Sequence, residues 1–513
     1  MFAQVNSLGI NGIQGYPVAV ECNISNGLPG FDVVGLPDTT VKEARERVRA
    51  AIKNSGFKFP TSRIILNLAP ADTKKTGTFY DLPILIGILT AIRAVRAPNP
   101  KSAFLGELSL EGRLRSLNGV LPMAMAAKQA GFQTLYLPAE NAPEATLCRE
   151  LTVIPVTSIG QLVDHLNGEQ QIAPEPAWQP GESAEDYLDF KDVKGQNDAK
   201  RALEIAAAGG HNILMIGVPG SGKSMLAKRL PSILPRMSRE EALEVTQIHS
   251  IVGLLDRKSP LITTRPFRSP HHTVSMPGLV GGGSNPRPGE ITLAHRGVLF
   301  LDELPEFRKE TMEVMRQPLE DGQVTISRAL ATVTYPSDFM LVGAMNPCRC
   351  GWFGDPSGRC HCSHAAVAAY GSRISGPLKD RIDLTVAVFT PSFEELVREP
   401  EGEPSEKIRA RVQEARDRQL KRFAGTDITC NAAMRTQELR RFCELPQKAL
   451  DMLRDSYSRL GLTARSYDKI LKVARTCADL AGSDTIQLDH LYLAVHYRDM
   501  PYTFGMYRRE NNE

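Results

Sequence analysis

The stretch Asn212–Ser224, NILMIGVPGSGKS, decides the fold. An apolar strand, Ile213–Ile216, runs into Gly217, Val218, Pro219, Gly220, Ser221, Gly222, Lys223 and Ser224, and then into a helical segment beginning at Met225. G-x-x-x-x-G-K-S between a strand and a helix is the P-loop. Its glycines let backbone N–H groups turn inward around phosphates, and the helix N-terminus adds positive potential. Residues 217–225 are therefore the expected ATP-binding set, with Lys223 reaching the β- and γ-phosphates and Ser224 ligating Mg²⁺. A glycine-rich turn without nucleotide is the alternative, and the full pattern argues against it.

Working outward, Gly297–Leu304 reads GVLFLDEL: an apolar strand ending in two adjacent carboxylates. In a parallel sheet, such a strand delivers its acids to the edge where phosphates lie. Asp302 is expected to hold the Mg²⁺ shell and Glu303 to polarise the attacking water, which makes hydrolysis, and not only binding, the expected chemistry. Three further residues suit the same catalytic site. Asn346 ends the apolar run FMLVGAM and would orient the water or γ-phosphate. Arg381, in LKDRIDL, would supply a cation to the transition state, with Arg373, eight residues earlier, as its competitor. Arg465, in GLTARSYDKILKVART, starts a helix and would act as a second phosphate sensor.

The chain has 513 residues, enough for about three domains. With 42% hydrophobic and 23% charged residues it is of ordinary globular composition, which argues against collagen-like and disordered classes. The longest apolar stretch, Leu82–Ile92, is about half of the roughly 20 residues a membrane-spanning helix needs. No basic region precedes an apolar run at the N-terminus, so a cytoplasmic protein without membrane contact is expected. A net charge of +3 neither requires nor excludes a nucleic-acid partner. Nine cysteines include four in one window, Cys348-x-Cys350 and Cys360-x-Cys362, around the turn-rich loop GWFGDPSGR. Two such hooks can surround a tetrahedral ion, so structural Zn²⁺ is expected, with Fe–S ligation, unligated thiols, or His361 or His364 replacing one cysteine as alternatives.

The order GVPGSGKS, GVLFLDEL, NP, DRID and ARSY resembles AAA+ ATPases of the magnesium-chelatase-like branch. RPFRSPHH (Arg265–His272), GLPGFDVVGLPDTTVKEARERVRAAIKNSGF (Gly27–Phe57) and NLAPAD (Asn67–Asp72) are similar to the YifB/ComM family, the competence-protein helicases. The resemblance implies an α/β fold: a P-loop AAA+ core, an N-terminal Lon-protease-like α/β domain and a C-terminal helical lid. The expected boundaries are 1–167 for the Lon-like domain, 168–189 for a linker, 190–393 for the core, 394–405 for a second linker and 406–513 for the lid. It also implies a homo-hexameric, DNA-dependent motor on single-stranded or branched DNA, a branch-migration helicase in recombination during natural transformation. Arg381 would then act in trans on a neighbour's ATP. The Lon-type catalytic positions fall on Phe79, Tyr80 and Met123, which cannot replace a Ser–Lys dyad, so no peptidase activity is expected.

A DNA motor needs cations facing the phosphate backbone. Two segments qualify: Thr263–Met276, with Arg265, Arg268, His271 and His272, and a hairpin at Gln323–Tyr335 with Arg328 near its tip. The alternatives are a packing segment for the first and a plain solvent-facing hairpin for the second. As a metal pair the two histidines are disfavoured, because neighbours in a strand point to opposite faces. Rival functions are a chelatase-type motor remodelling a partner protein, a peptide-handling Lon-like ATPase, and an ATP-binding switch.

Overall fold

Alternating burial along Phe2–Asn11 (β1) and Gln14–Ser25 (β2) makes a hairpin with one face on a core. The two-residue connection opens on Gly12 at φ +62°, the conformation mirror-image hairpin turns require. The computed structural model describes residues 1–179, 188–283, 286–328, 331–391, 395, 397 and 402–499. Its described residues form two units, one from Met1–Ser183 with Arg239–Ile262, the other from Ala184–Ser238 with Thr263–Glu513.

In the first unit, Gly30–Val34 (β3), Arg63–Ala69 (β4), Ser102–Phe104 (β5), Thr134–Pro138 (β6) and Thr152–Val156 (β7) complete a seven-stranded mixed sheet, order β3-β4-β2-β1-β5-β6-β7. Helix Thr39–Asn54 (α1) starts at Asp38, whose side chain accepts from Val41 N at 2.8 Å, and buries Val41, Ala44, Val48, Ala51 and Ile52 along one stripe. The apolar stretch at Leu82 forms helix Asp81–Ala91 (α2), a core helix. Its one acid, Asp81, is buried against the Arg47 guanidinium at 2.6 and 2.9 Å. Burial pushes that carboxyl up to about 6 against the pull of Arg47. Phe79, Tyr80 and Met123, the last on helix Val120–Gln129 (α3), belong to the same core.

Two features of this unit carry no signature in the sequence. Helix Arg239–Val252, which follows the P-loop helix in the chain, groups here: Gly119 N donates to Ser250 O at 3.0 Å and Arg239 Nη2 to Leu147 O at 3.1 Å. The first half of the expected linker is a strap on the unit, with Ile172 N on His165 Nδ1 (2.9 Å), Glu175 N on Val153 O (2.8 Å) and Trp178 N on Thr146 Oγ1 (3.1 Å). Residues 180–187 of that linker, most of 394–401 in the second, and 500–513 lie outside the described residues.

The second unit is built on a five-stranded parallel sheet. Its strands are Ile213–Ile216 (β8), Phe267–Arg268 (β9), Val298–Leu301 (β10), Met340–Met345 (β13, after the hairpin strands Gln323–Arg328, β11, and Ala331–Pro336, β12) and Leu384–Ala387 (β14), in the order β9-β10-β13-β8-β14. Every residue of β8, β10, β13 and β14 is buried, as expected of parallel strands covered on both faces. Helix Asn197–Gly209 (α4) and the C-terminal helices Ser405–Arg422 (α5), Ala464–Leu480 (α6) and Leu488–Asp499 (α7) share one core with it.

A buried polar network fastens these helices to the sheet. Asp383, at the entry to β14, accepts from Asn212 N at 2.9 Å and from Lys469 Nζ at 2.6 Å, with His211 Nδ1 at 3.6 Å. Burial alone would raise the Asp383 carboxyl, but the Lys469 charge and the adjacent His211 imidazole outweigh it and hold the group well below the usual carboxylate range. Deleting one member of a buried pair strands the other charge, at about 3–5 kcal/mol. Asp383→Asn is therefore expected to lower the unfolding free energy by roughly that amount at neutral pH. A depressed carboxylate contributes above its unfolded pKa of about 4 and loses its contribution as pH falls through the folded value. The gap in denaturation midpoint between wild type and variant should thus be widest above about pH 5 and narrow below pH 4.

Candidate nucleotide site and metal centre

The strand order explains the site. β8 lies between β13 and β14, so the residue after β13 sits beside the P-loop, and the acid after β10 reaches it from one strand further away. Carboxyl ends of parallel strands are where open α/β sheets bind ligands. The P-loop turns on Gly220 (φ +77°) and Gly222 (φ +95°), a backbone region that side chains disfavour. Gly217 is closed in by the Val388 carbonyl, 2.2 Å from where a Cβ would stand.

Lys223 is buried, and its ammonium donates to Gly217 O (2.7 Å), Val218 O (3.0 Å) and Asn346 Oδ1 (3.2 Å). Burial lowers its pKa, partly offset by Asp302 and Glu303. Ser224 Oγ donates to Asp302 Oδ2 at 2.5 Å. A hydroxyl and a carboxylate side by side, both hard oxygen donors, suit Mg²⁺, and the ring of loop amides suits phosphate. The structure thus brings Lys223, Ser224, Asp302 and Asn346 together.

Glu303 adopts φ +52°, rare for a residue with a side chain, in the sharp turn leaving β10. Its amide donates to Asp302 Oδ1 at 2.9 Å, and its half-exposed carboxylate lies 3.5 Å from His272 Nδ1. The sequence offered no signal for that partner. Arg381 is buried: Nη1 donates to Pro377 O at 2.6 Å and Nη2 pairs with Glu320. Arg465, at the start of α6, is exposed, 3.8 Å from Asp380. These two arginines therefore cluster around residues 377–381, and no described contact joins them to Lys223 or Asp302 within this chain. Arg373 pairs with Glu306 at 2.8 Å.

The first segment expected to contact DNA divides. Arg265 donates to three carbonyls, Pro235, Arg236 and Arg296, at 2.6–3.4 Å, and Arg268 forms a two-pronged pair with Glu290 at 2.6 and 2.8 Å. Both bonds match the packing alternative. Residues 271–273 form a turn and not the expected strand, so His271 and His272 do not point to opposite faces: their ring centroids lie 4.1 Å apart with the planes tilted by 35°. The hairpin is present, in register from Gln323↔Pro336 to Arg328↔Ala331. The Arg328 side chain and residues 329–330 lie outside the described residues.

Cys348, Cys350, Cys360 and Cys362 hold their sulfurs within 4.8 Å of one another, with Cys348–Cys350 at 3.2 Å, Cys350–Cys360 at 3.7 Å and Cys348–Cys360 at 3.9 Å. Four sulfurs about 2.3 Å from a tetrahedral ion stand about 3.8 Å apart, a separation that two of these pairs match and that the Cys348–Cys350 pair reaches by opening from 3.2 Å. Among the described residues no other such ligand group occurs, and all nine cysteines are free thiols. The Trp352 amide and the Cys348 thiol lower the Cys350 pKa to about 7. No helix among the described residues is long and apolar enough to cross a membrane.

Comparison with known proteins agrees with this architecture. Residues 189–396 match the family "Magnesium chelatase, subunit ChlI", residues 20–141 "Subunit ChlI of Mg-chelatase", and residues 402–498 "Magnesium chelatase, subunit ChlI C-terminal". The chain is 44% identical to the competence protein ComM of Haemophilus influenzae over 505 residues, 97% of each chain. It is 43% identical to the YifB protein of Salmonella typhimurium over 498 residues, again 97% of each. A Lon protease of Mycolicibacterium smegmatis is 26% identical over 167 residues, 30% of this chain and 21% of that one. Nucleotide and Mg²⁺ are the ligands such a fold implies, and the donors around Lys223 fit both. With a P-loop core, a Lon-like first unit and near-complete likeness to YifB and ComM, the chain belongs to the YifB/ComM family of magnesium-chelatase-like AAA+ ATPases.

Proposed function

We propose that this protein is an ATP-driven DNA motor that acts as a homo-hexamer in the cytoplasm, a branch-migration helicase of homologous recombination during natural transformation. The observation that carries the ATPase half is the convergence of Lys223, Ser224, Asp302 and Asn346 at the ends of three adjacent strands. The DNA half rests on likeness to a protein named for competence. Domain limits near 167, 190, 393 and 406 go with this reading.

Lys223 binds the β- and γ-phosphates, and Ser224 and Asp302 hold Mg²⁺, which when bound neutralises charge on the phosphate oxygens. Glu303 takes the proton of the attacking water, and Asn346 orients that water. Arg381 and Arg465, clustered apart from Lys223, serve a neighbour's site: Arg381 must then exchange Glu320 for a γ-phosphate across the subunit boundary. Since Arg265 and Arg268 are bound within the chain, DNA contact falls chiefly to Arg328 and the exposed His271. The loop 348–362 carries structural Zn²⁺. A protein-remodelling motor is the second reading, favoured by the chelatase family match over 189–396.

ATPase assays with single-stranded, duplex and four-way-junction DNA test the reading directly. Stimulation by at least one form is expected; indifference to all of them, together with stimulation by a protein substrate, would favour the second reading. Lys223→Ala should abolish nucleotide binding. Glu303→Gln should keep binding while lowering turnover by about 10²–10⁴-fold, the usual range for losing a general base. Mixing Arg381→Ala with Lys223→Ala subunits should restore some activity, because some interfaces then pair an intact arginine with an intact P-loop. An inactive mixture at every ratio would show that Arg381 does not act in trans.

A further inference from the structure

The cysteine loop and the P-loop touch more closely than a remote structural metal would require. Met345 O, at the end of β13, accepts from Gly217 N at 3.2 Å. The next residue, Asn346, accepts from Lys223 Nζ. Pro347 and Cys348 are buried, and Gly351 N donates to Cys348 O at 3.0 Å, closing a turn with Gly351 at φ +88°. A Cβ on Gly351 would stand 2.7 Å from Pro219 Cγ and 2.8 Å from Pro219 Cδ, so only glycine fits against the phosphate-binding loop there. Residues 345–351 thus meet the P-loop at three points, and two of the four thiols, Cys348 and Cys350, lie between the second and third.

The other hook, Cys360 and Cys362, comes from a stretch without helix or strand between Trp352 and Ser363, just before helix His364–Gly371. A loop of this kind has no core of its own, and an ion binding four thiolates is what would order it. Ordering the ion's shell therefore orders Asn346 and the wall beside Pro219.

We propose that a thiolate-bound divalent ion of the Zn²⁺ class at Cys348, Cys350, Cys360 and Cys362 is linked to nucleotide binding: the loaded centre presses Gly351 on Pro219 and sets Asn346 on Lys223, so each ligand tightens the other. This rests on reading the four thiols as a metal site and the P-loop as a nucleotide site. Linkage makes the two effects equal in size. Couplings of this kind commonly span about 5–150-fold, and a change of about tenfold is expected here.

The test uses full-length protein with Mg²⁺ in excess, metal content by elemental analysis, and calorimetric titration with a non-hydrolysable ATP analogue. Wild type should hold one Zn²⁺ per chain. Cys360→Ser should lose it and bind the analogue about tenfold more weakly. Gly351→Ala should keep the metal yet weaken the analogue about tenfold, because the methyl pushes on Pro219. Pro219→Ala, itself a change in the phosphate-binding loop, serves as its own reference: without Cγ and Cδ, adding Gly351→Ala should cost less analogue affinity than it does in wild type, the remainder coming from the φ +88° backbone. The analogue should in turn raise the Zn²⁺ affinity, read against a competing chelator, by the same factor. Unchanged analogue affinity in the metal-free chain, or a Gly351→Ala defect as large in the Pro219→Ala background as in wild type, overturns the linkage. Wild type free of metal overturns the metal reading, and wild type blind to the analogue overturns the nucleotide reading, each visible in its own measurement.

Discussion

A buried ammonium needs acceptors, and the strand order of the core sheet decides which ones Lys223 receives. With β8 between β13 and β14, the nearest chain end beyond the P-loop is that of β13, and Asn346 is its first residue. The carboxylate strand β10 comes next, close enough for Asp302 to meet the Ser224 hydroxyl. Had β10 and β13 changed places, the acid would stand beside the lysine and neutralise it directly. The observed order keeps the lysine on neutral oxygens and the acid on the hydroxyl, so the ammonium and the carboxylate keep separate partners.

The opposite end of the same sheet is held by charge as well. Asp383, at the start of β14, binds the Asn212 amide just before β8 and the Lys469 ammonium from α6. Arg498 from α7 donates to the neighbouring Ile382 carbonyl. Arg381 lies between this anchor and the cluster of Asp380 and Arg465, so the arginine expected to act on a neighbour stands on a rigidly fastened segment. A lid motion that displaced α6 would be felt at Arg381 through two residues of chain.

The first unit has a closely packed interior. Phe79, Tyr80 and Met123 lie in its hydrophobic core, and Arg47 with Asp81 forms a buried pair beside them. Those side chains serve as packing residues. The unit also takes in helix Arg239–Val252 from the middle of the ATPase sequence, so the chain passes between the two units three times, after Ser183, after Ser238 and after Ile262.

The sequence by itself determined what local chemistry determines. Gly217–Ser224 between an apolar strand and a helix, the acids closing GVLFLDEL, and paired C-x-C hooks are contiguous patterns, and each carries its meaning within a few residues. The buried strands were legible for the same reason, since uninterrupted apolar runs demand burial. Only the tertiary structure decided the rest. That Asn346 meets Lys223, that Gly351 leaves no space beside Pro219, that Arg265 and Arg268 are bound inside the chain, and that a helix from the core sequence belongs to the first unit all depend on contacts between residues far apart in sequence. Such contacts are set by strand order and by which carbonyls and carboxylates fold brings within about 3 Å, and hydrogen bonds to backbone groups leave no trace in side-chain identity.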